Sequence, residues 1–484
     1  MAILDQYGNP YRYATRFAHA ATRSPATGTH YPNVLDDIAV LIPRHDRLTL
    51  QGLSRRLYTN FGVLKAAVDQ KANYSVGHAW QPCFRSPDAD RAAAAEQWVQ
   101  DRFYPLCDVR GPVFYWQECL QLISQALDRD GEAFVLLTSS KGGDARIQLI
   151  PSHRIGQRAQ SDDEVDKGPY KGAKIRDGVI MNKVGRPVAY RILGDAQDGS
   201  QDYDISARDL IHAYDPDFAE QERGLPAFTH ALTDFLKCLQ STEFETIAMM
   251  MVSSLGLIEY NDTGMPEEDP AFALQSGSTA EDGITTQLYA GGTTRYFKAN
   301  SGAKLESVSH NRPGDMWERF NDRLIRSGLA GVQWPMALVW KSPGQGTAER
   351  SEVVRARRSI EQRQSTLQRV ARRIVSYAVG VAFDRGELEP FARFWDVDFT
   401  LPPRLTVDDG RENAALLAQI ESGALTMAQY QGYFGRKEED HWREYWRGVA
   451  LKERTREEVE AETGMQLTEP TETETEDDDA DENE

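Results

Sequence analysis

GLPAFTHALTDFLKCLQSTEFETIAMMMVS, residues 224–253, is the stretch on which the architecture turns. Gly224 and Pro226 punctuate the chain, and from Thr229 to Ser253 there is neither glycine nor proline. Phe228, Leu232, Phe235, Leu239 and Ile247 recur at spacings that place them on one face of a long helix. Some 25 residues at about 1.5 Å each make a rod of roughly 37 Å. The run Met249-Met250-Met251 at its end reads as packing surface. Residues 256–311 change texture: glycine, threonine and acids surround short apolar runs such as Gln287-Leu288-Tyr289 and Arg295-Tyr296-Phe297, which predicts a small β-rich excursion. A second helix is predicted from about Pro313 through Trp317, Phe320, Leu324 and Ile325 to Gly328. The order is helix, small β insert, helix.

Downstream, Trp334-Pro335 leads into Met336 to Trp340, which reads as a strand, and Lys341-Ser342-Pro343-Gly344-Gln345-Gly346 is a loop by composition. From Ala348 to Phe383, Val353, Ile360, Leu367, Ile374 and Val381 fall every seven residues, with Val370 and Ala378 filling in, so this is the longest predicted helix. Arg350, Arg355, Arg357, Arg358, Arg363, Arg369, Arg372 and Arg373 crowd its first two-thirds. Two readings of these arginines stay open: a solvated or acid-paired face, or contact with a polyanion. A helical region from Asp408 to Leu451 and a Glu/Asp/Thr tail close the chain. Upstream, the first ~225 residues look mixed. Leu53 to Val76 and Ala89 to Phe103 carry helical spacing, while Ala133 to Thr138 after Asp130-Gly131, then Arg146 to Ile150, suit a hairpin. Val179 to Met181 and Val188 to Leu193 flank Gly185-Arg186-Pro187 as further strands. The class is α+β.

A chain of 484 residues exceeds the roughly 250–300 at which one core stops growing, so several packed units are expected. Forty per cent hydrophobic and 27% charged residues are globular values, and no stretch approaches the ~20 apolar residues of a membrane span. Met1-Ala2-Ile3-Leu4-Asp5 does not resemble a secretory signal, so the chain is expected to stay where it is made. Cys83, Cys107, Cys119 and Cys238 are scattered and read as reduced, buried thiols. Ten acids and no base lie between Leu467 and Glu484, which takes the rest of the chain from −19 to −9. An acidic body argues against a sequence-specific DNA binder and suits a protein past which DNA moves. That tail lacks the apolar residues that would offset ordering entropy, and disorder is expected there.

Motifs of catalysis are missing from the sequence. Gly344-x-Gly346 is followed by no Gly-Lys-Ser/Thr, the histidines form no His-Glu-x-x-His, and Gly-x-Ser-x-Gly does not occur. Asp128-x-Asp130-Gly131-Glu132 has calcium-like acids but too short a run for an EF-hand loop, and a turn before a strand explains it. Neither a cofactor nor a metal is expected, although dispersed acids for a two-metal site leave no sequence signature.

Several segments, taken in order, resemble the portal proteins of long-tailed phages, the lambda type in particular. They are Leu53 to Asn60 with Ala66 to Gly77, Asp130 to Val135, Arg223 to Phe228, Gly328 to Ala330 with Trp334-Pro335, Ser351 with Arg355 and Arg357-Arg358, and Gly423 to Thr426 with Gly435 before a Trp-rich helix. Two departures stand out: Pro343-Gly344-Gln345-Gly346-Thr347-Ala348 replaces the usual loop proline and asparagine, and the acidic tail has no counterpart. The resemblance implies a homo-oligomeric ring of about twelve subunits at one capsid vertex. An α+β wing would occupy 1–225, stem helices 226–256 and 312–332, a β-rich clip 257–311 and a tunnel-loop region 333–349. A long kinked helix with further wing would follow over 350–405, then a helical crown over 406–465 and the disordered tail over 466–484. Lys341, Ser342, Gly344, Gln345, Gly346 and Thr347 would face DNA in the tunnel, with Lys341 as the cationic contact; an ordinary surface connector is the rival reading of this loop. Implied partners are the major capsid protein, the terminase large subunit, head-completion or adaptor proteins, and double-stranded DNA passing without sequence specificity. Implied location is the virion, after assembly in the host cytoplasm, with no membrane and no enzymatic activity. A non-portal scaffold or adaptor and a DNA-processing nuclease are the alternatives.

Overall fold

A computed structural model of the chain describes residues 42–78, 80–157, 163–165, 168–194, 201–261, 278–279, 284–288, 294–299, 304–306, 314–339, 347–405, 409–434 and 438–463. Among the described residues, helices α1 (Arg44–Asn60) and α2 (Gly62–Val76) come first, broken at Phe61, whose extended backbone (φ −119°, ψ 102°) splits what the sequence presents as one run. β1 (Pro82–Phe84), α3 (Ala89–Trp98), continued by a wider turn over Val99–Phe103, and α4 (Trp116–Arg129) follow. At the start of α4 the Tyr115 amide donates to Glu118 Oε2 at 2.8 Å, satisfying a group the helix leaves unpaired.

The hairpin β2 (Glu132–Ser139) and β3 (Ala145–Ile150) pairs Phe134 with Ile150, and β9 (Leu210–Tyr214) joins its other edge in the order β3-β2-β9. A second sheet, entirely antiparallel, takes β4 (Asp163–Glu164), β5 (Lys174–Arg176), β6 (Val179–Met181), β7 (Pro187–Ile192) and β8 (Tyr203–Ser206) in chain order. The long helix α5 (Leu232–Ser254) then gives way to strands β10 (Leu255–Asn261), β11 (Ser278–Thr279), β12 (Ile284–Leu288), β13 (Thr294–Ala299) and β14 (Lys304–Glu306), ordered β11-β12-β13-β10-β14. Helix α6 (Asp315–Gly331) returns along α5, with Trp317 Nε1 donating to Ser241 Oγ at 2.6 Å. α7 (Thr347–Asp384) is one unbroken helix of 38 residues, and β15 (Val397–Phe399) pairs antiparallel with β1. The described residues close with α8 (Asp409–Glu421), α9 (Met427–Tyr433) and α10 (Glu438–Thr463). At α9, Thr426 and Gln429 exchange side-chain and backbone hydrogen bonds as a capping box.

The segment after α6 and the cysteines also depart from expectation. Of the strand expected over Met336 to Trp340, the described residues Met336 to Val339 form none: Met336–Leu338 is a 3-10 turn, with the Met336 side chain drawn into the core that holds Trp334. The cysteines are not uniformly buried. All four are free, but Cys83 is only half-buried, while Cys107 and Cys119 lie with sulfurs 3.8 Å apart.

Two main cores share one helix. The first collects Trp80, Phe103, Trp116 and Ile123 under the β2/β3 hairpin; the second joins Leu57, Leu64, Phe235, Ile325 and Trp334 from α1, α2, α5, α6 and the segment after it. The seven-residue pattern of α7 divides between them. Ala356 and Ile360 enter the second core, and Leu367, Val370, Ile374 and Val375 the first.

Candidate functional site

Of the residues expected to face DNA, Lys341, Ser342, Gly344, Gln345 and Gly346 lie outside the described residues, and Thr347 is the first residue of α7. Both described flanks of this segment are fastened to the α5/α6 core. Upstream, the Trp334 amide donates to the Leu329 carbonyl at 3.0 Å and Trp334 and Met336 are buried; downstream, Ala356 and Ile360 enter the same core. Where α5 and α6 meet, glycine is required by space. A Cβ at Gly328 would sit 2.5 Å from the Phe235 ring, and one at Gly331 would sit 2.0 Å from His230 Nε2. His230 Nε2 lies 3.0 Å from the Gly328 carbonyl.

The densest polar geometry lies elsewhere, where α4 runs out into β2 at Asp128-Arg129-Asp130-Gly131-Glu132. The turn is present, with Gly131 at φ +86°, but the three acids do more than make it. Each goes to a different set of cations. Asp128 receives Lys71 Nζ of α2 at 3.3 Å and Arg363 Nη2 of α7 at 2.5 Å, and Arg363 also lies 3.6 Å from Asp215. Asp130 receives Arg55 Nε of α1 at 2.7 Å and Arg129 Nη2 at 2.9 Å. Glu132, fully buried, accepts from Arg223 Nη2 at 2.6 Å, Arg47 Nη1 at 3.2 Å, the Gly224 amide at 3.1 Å and the Ser152 hydroxyl, with His212 Nε2 at 3.0 Å. Arg223 further donates to the backbone carbonyls of Ile155, Ser152 and Asp177.

Backbones touch at the same place. A Cβ on Gly131 would lie 2.2 Å from the Leu225 carbonyl carbon, and one on Gly224 would lie 2.1 Å from the Gly131 oxygen. Asp130-Gly131-Glu132 and Arg223-Gly224-Leu225-Pro226, 91 residues apart at the Glu132–Arg223 pair, therefore form one junction at the foot of α5. Burial alone would raise the Glu132 carboxyl; Arg223, the His212 hydrogen bond and Arg47 outweigh it and hold the group well below the usual carboxylate range. Burial lowers His212, against the pull of Glu132, so the imidazole is neutral and its Nε2–H donates. Burial would lower Arg223, but Glu132 and Asp177 raise it. With its oxygens occupied and closed to solvent, Glu132 serves as a buried counter-ion and not as a proton-transfer group. Among the described residues no group of three or more His, Cys, Asp or Glu is placed to hold a metal ion.

Reading the acids as a turn missed their partners, yet a signal was present. Arg47, Gln51 and Arg55 repeat every four residues on α1, a polar stripe opposite Leu50, Leu53 and Leu57; the structure buries Arg47 and Gln51 and aims the stripe at Glu132 and Asp130. The α7 arginines divide likewise. Arg372 donates to the Val397 carbonyl and Asp398, both at 2.9 Å, Arg373 to the carbonyls of Ala207 and Arg208, and Arg357 to that of Leu405, while Arg355, Arg358 and Arg369 are exposed.

Among solved structures, the chain is similar to one from the virion of a native gene transfer agent particle, at 13% identity over 80% of this chain and 92% of that one, with a TM-score of 0.47. The neck of the native particle computed with C12 symmetry aligns at 14% identity over 80% and 92%, TM-score 0.46. An HK97-family phage portal protein from Corynebacterium diphtheriae aligns at 11% identity over 78% and 98%, TM-score 0.32. No curated protein matches the chain. Residues 37–364 match the family described as phage portal protein, lambda family, a span that runs from before α1 to Gln364 on α7 and contains every residue of the junction. The chain belongs to the lambda family of phage portal proteins.

Proposed function

We propose that copies of this chain close into a ring of about twelve subunits at one vertex of a phage-like capsid, and that double-stranded DNA enters and leaves the head through its centre. The observation that carries this reading is the family match over residues 37–364. The fold supports it: two helices flank a small sheet, an arrangement that sets the sheet at the end of a paired stem, where a packaging motor and later head-completion proteins could dock. In this reading the tunnel loop is Lys341, Ser342, Gly344, Gln345, Gly346 and Thr347. The protein works as a structural channel in the virion, contacts the major capsid protein, and leaves hydrolysis of nucleotide to the terminase. The acidic body supports passage without grip.

Negative-stain imaging of purified protein, with mass from light scattering, tests the reading. Closed rings with a central hole are expected. A stable monomer at tens of micromolar, ringless even beside capsid protein, would overturn it.

A further inference from the structure

Helix α5 carries two unlike sides, so Phe235, Leu239 and Ile247 do not share the single face that their spacing predicts. Phe235, Cys238 and Ser241 face α6, whose Trp317, Asn321, Ile325 and Gly328 pack against them. Leu236, Leu239, Glu243 and Ile247 point roughly 140° away around the helix. With Leu53 and Leu57 of α1 they line a groove of about 830 Å³. Its floor is leucine, Ile247 is 45% exposed at its side, and the exposed Glu243 and Arg56 are among its lining residues. On α6, at the other side of the pair, Met316 is 85% and Phe320 55% exposed, with the exposed Arg319 and Arg323 three residues on from each and along the same flank of the ridge. An apolar, basic ridge and an apolar groove with an acid thus lie on opposite sides of one helix pair. Because α6 packs on the far side of α5, the ridge is turned away from the groove of its own chain.

We propose that Met316 and Phe320 of one subunit seat in the α1/α5 groove of the next copy, with Arg319 and Arg323 meeting Glu243. The proposal rests on the ring reading and names the surfaces that build the ring. A ridge and a groove on different faces make a heterologous contact: each copy fills a neighbour's groove and leaves its own for another copy, so the set closes as a ring or continues as a filament. Charge of both signs meets at the seam: the arginines beside the ridge meet Glu243, while the exposed Arg56, which also lines the groove, faces a ridge that carries the exposed Glu318.

The test uses full-length protein and two substitutions at exposed positions, Phe320→Asp and Ile247→Asp, with thermal melting of each variant confirming that it folds. Each alone should raise the concentration for half-assembly by about tenfold or more. An equal mixture should yield dimers that neither variant forms alone, because a Phe320→Asp subunit keeps its groove and an Ile247→Asp subunit keeps its ridge. Rings from either variant at the parent's concentration would overturn the proposal and leave the ring reading standing. A mixture that stays monomeric would also overturn it, and would point to another protein as the occupant of the groove. Failure of the parent itself to form rings would remove the ring reading instead.

Discussion

On Glu132 converge α1, the turn at Ser152, β9 and the Arg223-Gly224 segment. Its carboxylate balances Arg223 and Arg47 in a site closed to water, where losing one member of a buried pair typically costs about 3–5 kcal/mol, because the partner charge stays behind uncompensated. Glu132→Gln should destabilise the chain by that order, read as the urea midpoint; a loss under about 1 kcal/mol would place the charge balance on Asp177 instead. The same site predicts acid lability in two steps. His212 is neutral when folded but takes a proton near pH 6.5 when unfolded, so stability falls as pH drops through about 6.5. Glu132, depressed when folded, stabilises above about pH 4.3, and that contribution disappears as pH falls toward its folded value. His212→Gln should flatten the stability slope between about pH 7 and 5; an unchanged slope would assign the first step to another histidine. For the DNA contact proposed for Lys341, magnitude constrains the kind. About twelve copies each neutralising a phosphate would give a salt slope of roughly −11, the grip of a tight binder that would hold DNA still. Lys341→Ala should therefore alter packaging rate or DNA retention and spare ring formation; packaging and retention equal to the parent would remove the loop from the channel.

At the scale of elements, the α5/α6 pair depends on close approach. Gly328 lets the helix pass over Phe235, and Gly331 makes room for His230. Gly328→Ala pushes a methyl into that ring and should cost about 1–3 kcal/mol as overpacking, even though alanine is the better helix former in isolation. Chemical denaturation distinguishes the two effects, since a gain in stability would mean that Phe235 moves aside freely. Both helices of this pair were legible from periodicity and from the absence of breakers. Their closeness was not, because Gly328 reads equally well as the end of a helix. The run from Leu53 to Val76 was legible as helical but not as two helices: nothing in Asn60-Phe61-Gly62 is an obligatory breaker, and the break comes from packing Phe61 against Phe235, ring centroids 5.4 Å apart.

Across the whole molecule, α7 fastens both cores, Arg363 of the same helix holds Asp128, and the match to the portal family ends one residue beyond that arginine. Assembly should accordingly depend on the folded body and not on the terminal acids. Ten like charges without a base repel one another and have little apolar surface to bury, so truncation after Gln466 should leave rings unaltered. Fewer rings by image counting on truncation would give the tail a role in assembly.

By itself the sequence determined the element order, because helix and strand periods are local and Gly, Pro and the heptad leave them readable: two helices around a β-rich insert, then a long arginine-rich helix. It determined the acidic character and, through ordered segments, the family. Tertiary structure alone decided where the charges go. Asp128, Asp130 and Glu132 look like a turn when read along the chain, and nothing local distinguishes a solvated carboxylate from one that holds Arg223 from 91 residues away or Arg363 from 235. Burial makes that distinction: excluding water turns the same acids into obligatory partners of specific cations, and burial is a property of the folded whole.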